Sequence, residues 1–243
     1  MAGKTGLGHE REPDQHERSL DGDDRQDGTD AFVFKSDFGR SSLLDPCPVI
    51  QCQTAEQLEM RIAQLEALLA NVTRSTIQGQ DTIRFSNMNV QIVSGSGSTY
   101  EAVNGRGNLI VGYNELGNPF GDNRTGSHNI VVGAYQSYSS YGGLVAGGGN
   151  TIAGPYASVS GGYSNTASDT AASVSGGSEN QASGFYSSVS GGSYNTASGM
   201  FSSVNGGWEN TASQTYANVS GGSENQASGY YASVAGGRYN EAS

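Results

Sequence analysis

The sequence predicts an all-β protein built as a parallel β-solenoid of 15-residue repeats and preceded by one short coiled-coil helix. Three observations carry that expectation. Val159, Val174, Val189, Val204, Val219 and Val234 recur at one fixed period, and Asn150, Asn165, Asn180, Asn195, Asn210, Asn225 and Asn240 keep the same spacing. Glycine supplies 37 of the 243 residues, and a 15-residue unit so rich in glycine and β-branched residues leaves no helix to build. A heptad pattern of apolar residues between positions 54 and 74 makes the helical exception.

Residues 1–30 carry nine acidic and four basic side chains without periodicity, so they are expected to form a disordered acidic tail. Their cluster DGDDRQDGTD invites a calcium reading, but with Asp23 as first ligand Arg25 and Phe34 fall where an EF-hand needs its third and twelfth. Solvated charge is the expectation. No apolar h-region occurs there, so no Sec-type leader is expected. Residues 31–53 read as a linker with a short strand at AFVFKSDF, and Pro46 and Pro48 exclude a helix across it. Cys47 and Cys52 fit neither the CxxC redox motif nor a paired zinc site. They are either two incidental thiols or, in an oxidising compartment, an interchain disulfide.

Residues 54–74 are expected to be the coiled-coil helix. Thr54 and Gln57 have capping-box spacing, and Ala55, Leu58, Ile62, Leu65, Leu69 and Val72 alternate by three and four as a and d positions. A helix this short is marginal alone, so partner helices are expected. Arg61, Ile62, Leu65 and Glu66 match the R-h-x-x-h-E signature of short trimeric coiled coils, in which an arginine reaches a glutamate of the next helix. Ile at a with Leu at d favours a dimer by itself, so the seam leaves the stoichiometry open.

Residues 75–106 are expected to form a β-rich connector, with alternation at Ile83, Phe85, Val90 and Ile92 and a linker-like SGSGST after it. The solenoid is expected over 107–243. Its first strands lie in GNLIVGYN, from Gly107, and HNIVVGAY, from His128, where Leu109 with Val111 and Ile130 with Val132 are expected inside. The interval between these two is wider than the later period. In the strict repeats each valine, and the alanine that follows at a constant offset, is expected inside, with Gly-Gly and asparagine at the bend between them. The stacked asparagines are expected to bond rung to rung. One valine and one alanine make a thin core, so backbone ladders and contacts between chains must offset the ordering of each repeat. Tyr156, Tyr186, Phe201, Tyr216 and Tyr231 form an aromatic row, expected to pack on a neighbouring rung or chain, with Ala171 the exception.

The units NLIVG, NIVVG and SVSGGxxNxASGxY resemble the head repeats of trimeric autotransporter adhesins, the YadA-like head. That resemblance, which covers residues 107–243 and the preceding coiled coil, implies a left-handed parallel β-roll, a homotrimer, an adhesive role and a cell-surface or extracellular location. Gly161, Gly176 and Gly191 stand where the family motif has its second apolar residue, which predicts a thinner interior.

The net charge of −11 disfavours nucleic acid or an anionic membrane as partner, and no apolar run is long enough to span a bilayer. No catalytic constellation, cofactor motif or metal motif stands out around His9, His16 and His128, so no enzyme is expected. The leading expectation is a structural and adhesive fibre module, a self-associating trimer that meets a host or matrix protein or glycan. A phage tail fibre, mounted on a virion, or an extracellular filament uses the same architecture. A binder of a periodic ligand, ice or glycan, is the other class, although Gln181, Gln226 and Glu241 interrupt the outward row of Thr166, Thr196 and Thr211.

Overall fold

The structure is a computed structural model that describes residues 54–243. The acidic tail, the AFVFKSDF strand and the two cysteines, Cys47 and Cys52, lie outside the described residues. Two compact units divide the chain at Ala63 and Gln64. The described part of the first belongs to α1 (Ala55–Leu69), which continues into the second.

The capping box forms as its spacing predicts. The Gln57 amide donates to Thr54 Oγ1 at 3.3 Å, and the Thr54 amide donates back to Gln57 Oε1 at 3.1 Å. The helix then stops at Leu69, short of the expected end at position 74, and a hairpin follows: β1 (Val72–Ile77) and β2 (Gln80–Phe85), antiparallel. Val72 fits the heptad, but it opens the β-favouring run VTRSTI, and Gln78 and Gly79, both at positive φ, form the tight turn. Past Phe85 the strand ends, so Val90 and Ile92 are not in the expected β segment.

From β3 (Leu109–Val111) onward the chain winds into a parallel β-solenoid of about eight turns. β4 (Ile130–Ala134), β5 (Ser137–Tyr138) and β6 (Leu144–Gly148) open it, and two-residue strands follow from β7 (Thr151–Ile152) to β19 (Glu241–Ala242). The valine strands stack in register as one 9-stranded sheet and the alanine strands as an 8-stranded sheet. A third column of parallel bridges runs from Gly148 through Tyr163, Ser178, Ser193, Trp208 and Ser223 to Arg238.

Three inward columns form the core. Val131, Val145, Val159, Val174, Val189, Val204, Val219 and Val234 make the first; Tyr138, Ile152 and the alanines from Ala167 to Ala227 make the second. Ala157, Ala172, Ser187, Ser202 and Ala217 make the third. The expected phase of the first two strands is therefore off by one residue. Val131 is fully buried and pairs with Ile110 and Val145, whereas Leu109, Val111 and Ile130 are exposed and Val132 is half-buried. In LIV and IVV every position is apolar, so alternation cannot select the inner one.

The repeat also changes length inside the solenoid. The step from Val145 to its partner Val159 is one residue shorter than the step from Gly148 to its partner Tyr163, so one residue enters between the two columns. Gly161 lies in that interval, and a Cβ there would meet nothing within 4 Å. Gly161, Gly176 and Gly191 therefore face open space, and the expected thinning of the interior at these positions does not occur.

The asparagines are the polar half of the core. Asn150, Asn165, Asn180, Asn195, Asn210 and Asn225 are all buried, and each backbone amide from Asn165 to Asn240 donates to Oδ1 of the asparagine one turn before. Asn195 shows the whole pattern: its amide reaches Asn180 Oδ1 at 3.0 Å, and its Nδ2 donates to the carbonyls of Gly191 at 3.0 Å and Gly207 at 2.9 Å. The ladder begins earlier than the strict repeat. Asn150 donates from its amide to Gln136 Oε1 at 3.0 Å, and the Gln136 amide donates to Asn114 Oδ1 at 2.7 Å. The asparagine is not itself the left-handed residue of the bend; that conformation falls on the residue before it, as at Glu179, Tyr194 and Glu209, and on the second glycine. Gly177 is required there, because a Cβ would collide with the Gly192 carbonyl one turn on.

Asn195→Ala leaves the amide of Asn210 and the carbonyl of Gly191 without a partner, while the Gly207 carbonyl keeps the Ser193 amide, so it is expected to lower stability by about 2–4 kcal/mol. Urea unfolding of the variant beside Asn205→Ala, an exposed position outside the ladder, checks this: the second change is expected to stay within about 0.5 kcal/mol of the parent.

Candidate functional surface

With valine, alanine and asparagine turned inward, the solenoid meets a partner through what its turns display, and α1 adds a surface of its own. Three displays stand out. The first is the seam of α1. Leu58, Ile62, Leu65 and Leu69 are 47–57% exposed, and none of the helix residues, Arg61 and Glu66 included, is buried. Ile77, Ile83 and Phe85 of the hairpin are exposed as well. This is a large apolar surface for residues that normally shun water.

The second is the aromatic row. Tyr186, Phe201, Tyr216 and Tyr231 occupy one bend of successive turns, each at positive φ, with the amide donating to the preceding turn. Their rings stack at centroid distances of 5.7, 5.1 and 4.8 Å, and the last two pairs lie within 8° of parallel. Stacking rung on rung offsets a backbone conformation that bulky residues ordinarily avoid. Farther up, Tyr156 meets Tyr141 edge-on at 5.4 Å and Tyr141 meets Tyr100 at 6.1 Å. Loss of solvent and then a hydrogen bond with Tyr100 push the Tyr156 hydroxyl up to about 12.

The third display is the opposite bend, beside Gly-Gly. Tyr163, Tyr194, Trp208 and Tyr239 project there, 43–64% exposed, among Glu179, Glu209, Glu224 and Arg238. Tyr194 Oη donates to Glu179 Oε1 at 2.9 Å, which raises the Tyr194 hydroxyl above its ordinary value. Arg238 donates to Glu224 at 2.8 Å and lies over the Tyr239 ring at 4.5 Å, and its hydrogen bond holds the Glu224 carboxyl below the usual range.

One loop reaches this third display. The turn from β3 to β4, where Leu109 pairs with Ile130, is half as long again as the next, where Ile130 pairs with Leu144, and the excess forms a loop near Asn118 and Phe120. Asp122 accepts from the amides of Gly117 at 2.9 Å and Asn118 at 3.2 Å. Asn118 Nδ2 donates to the carbonyls of Tyr135 at 2.7 Å and Asn150 at 3.1 Å, and its Oδ1 accepts from the Phe120 amide at 2.8 Å. The loop is thus fastened to the solenoid while its Phe120 ring stays 61% exposed. Phe120, Thr166, Glu179, Gln181 and Tyr194 line a shallow cleft of about 280 Å³.

Of the residues singled out from sequence, the structure places the valines from Val159 and the asparagines from Asn150 to Asn225 together in the core, leaves Asn240 exposed, and sets the α1 residues together on one exposed helix. Gln136 and Asn114 were missed as ladder members, although Gln136 precedes Asn150 by nearly one full period, a visible signal. Asn108 and Asn129 form a second short ladder, with the Asn129 amide donating to Asn108 Oδ1 at 2.9 Å. Among the described residues no group of three or more His, Cys, Asp or Glu could hold a metal ion, and no helix is long and apolar enough to cross a membrane. No family model matches the chain, and no curated protein matches it.

Tyr216 stacks on both neighbours, so Tyr216→Ala is expected to lower stability by about 1–2 kcal/mol. Tyr216→Gly loses the same rings but relaxes a residue at φ 59°, so its unfolding midpoint is expected above that of the alanine variant.

Proposed function

We propose that this chain is a structural and adhesive module that works as a homotrimer, with α1 as its coiled-coil clamp and the solenoid as a repetitive display surface. The observation that carries the reading is the exposed α1 seam. A single chain leaves Leu58, Ile62, Leu65 and Leu69 in water, and packing three such seams together removes most of that surface. Arg61 and Glu66 then favour three strands over two, by the short trimer signature. The exposed hairpin residues Ile83 and Phe85 add apolar surface for the same assembly.

The solenoid supports the display half of the reading. Its hydrogen bonds and core are spent along its own axis, turn on turn, and the outer surface is polar and repetitive with two aromatic rows. The YadA-like resemblance supplies the rest of the proposal: a left-handed coil, a cell-surface or extracellular location and attachment to another surface. A non-enzymatic role fits the strict repeats of residues 150–243, whose serines and threonines recur on every turn in a stretch that contains no histidine.

Light scattering on the purified chain checks the assembly. The expected mass is three times the 25.1 kDa of one chain, and Leu65→Asp is expected to release a monomer whose β signal in circular dichroism is unchanged. A parent chain that is monomeric at micromolar concentration refutes the trimer.

A further inference from the structure

We propose that the cleft between Phe120 and Tyr194 is a binding subsite for a neutral pyranose residue of a glycan. The inference rests on the attachment half of the reading above and not on the trimer. Four observations point the same way. Two exposed aromatic rings line the cleft, Phe120 from the loop and Tyr194 from the solenoid, and offer apolar faces to the C–H face of a sugar ring. The same cleft is lined by a carboxylate, a carboxamide and a hydroxyl, from Glu179, Gln181 and Thr166, which suit the alternating donors and acceptors of vicinal hydroxyls.

The site is also pre-organised. Asp122 and Asn118 fasten the loop at both sides of Phe120, and Glu179 already holds the Tyr194 hydroxyl at 2.9 Å. Its charge selects the ligand class: no Lys or Arg lines the cleft, and Glu179 repels phosphate, sulfate and uronate groups. An apolar peptide side chain is disfavoured for the complementary reason, since it would cover the Gln181 carboxamide without a partner and the Glu179 carboxylate with the Tyr194 hydroxyl alone. The same bend continues with Trp208, Glu209, Glu224 and Tyr239, so a chain of sugars that leaves the cleft along the axis meets further aromatic and carboxylate groups.

The test titrates tetramers of glucose, mannose, galactose and N-acetylglucosamine, with tetragalacturonate as the charged comparison, into the isotopically labelled full chain and follows amide shifts. At least one neutral tetramer is expected to bind, with shifts centred on Phe120, Gln181 and Tyr194. Phe120→Ala and Glu179→Gln are each expected to weaken it at least tenfold, while Tyr231→Ala, on the other aromatic row, leaves it unchanged. Both cleft residues are exposed, so both variants are expected to keep the parent's unfolding midpoint. Absence of binding by every neutral tetramer, an unaltered affinity in Phe120→Ala, an equal loss in Tyr231→Ala, or tighter binding of the uronate overturns the proposal. A trimer that binds none of these sugars fails here and leaves the assembly reading standing.

Discussion

The solenoid depends on one interaction repeated turn after turn: a buried asparagine whose side-chain oxygen accepts the backbone amide of the asparagine one turn on. Apolar burial alone would not fix this architecture. Each short strand buries one valine or one alanine, and a slip of one residue would exchange Ala182 or Ala197 for Gln181 or Thr196. The asparagine makes such a slip expensive, because its oxygen and both amide protons find partners only in one register. Small residues then follow by necessity. The carboxamide approaches the carbonyl of the next turn's glycine so closely that a Cβ at Gly177 or Gly192 has no room.

That constraint leaves the outside of each turn free to vary, and the variation is not random. At one bend Tyr186, Phe201, Tyr216 and Tyr231 take a backbone conformation that favours glycine and recover the cost through stacked rings. At the other, left-handed Glu179, Tyr194, Glu209 and Glu224 present carboxylates and a phenol, with the ring of Trp208 among them. Interior order and exterior diversity are therefore separable, which suits a display surface. The long first turn uses the same freedom: because its insertion leaves the ladder from Asn114 to Gln136 unbroken, it can carry an exposed Phe120 without disturbing the core.

The strict half of the solenoid was legible because one chemical type recurs at one spacing. Valine, alanine and asparagine columns each need only a period and a side-chain class to be recognised, as Val159 through Val234 illustrate. Legibility failed where several residues satisfied the same rule. Leu109, Ile110 and Val111 are all apolar, so their phase is set by pairing with β4 and not by alternation. Val72 satisfies both a heptad and a β-branched run, and the Gln78–Gly79 turn decides for the strand. The candidate cleft was illegible for another reason: Phe120 and Tyr194 are far apart in sequence and meet only because a loop from the first turn folds down over later ones.

The account stands on the asparagine side chains being locked inside, bonded from turn to turn. Hydrogen exchange of the asparagine side-chain amide protons, followed by nuclear magnetic resonance, reads that state directly. The protons on Nδ2 of Asn165, Asn180, Asn195, Asn210 and Asn225 are expected to persist as long as the backbone amides of the flanking strands, while the exposed Asn205 exchanges at once. If the five exchange as fast as Asn205, the ladder does not hold the register and the central claim is wrong.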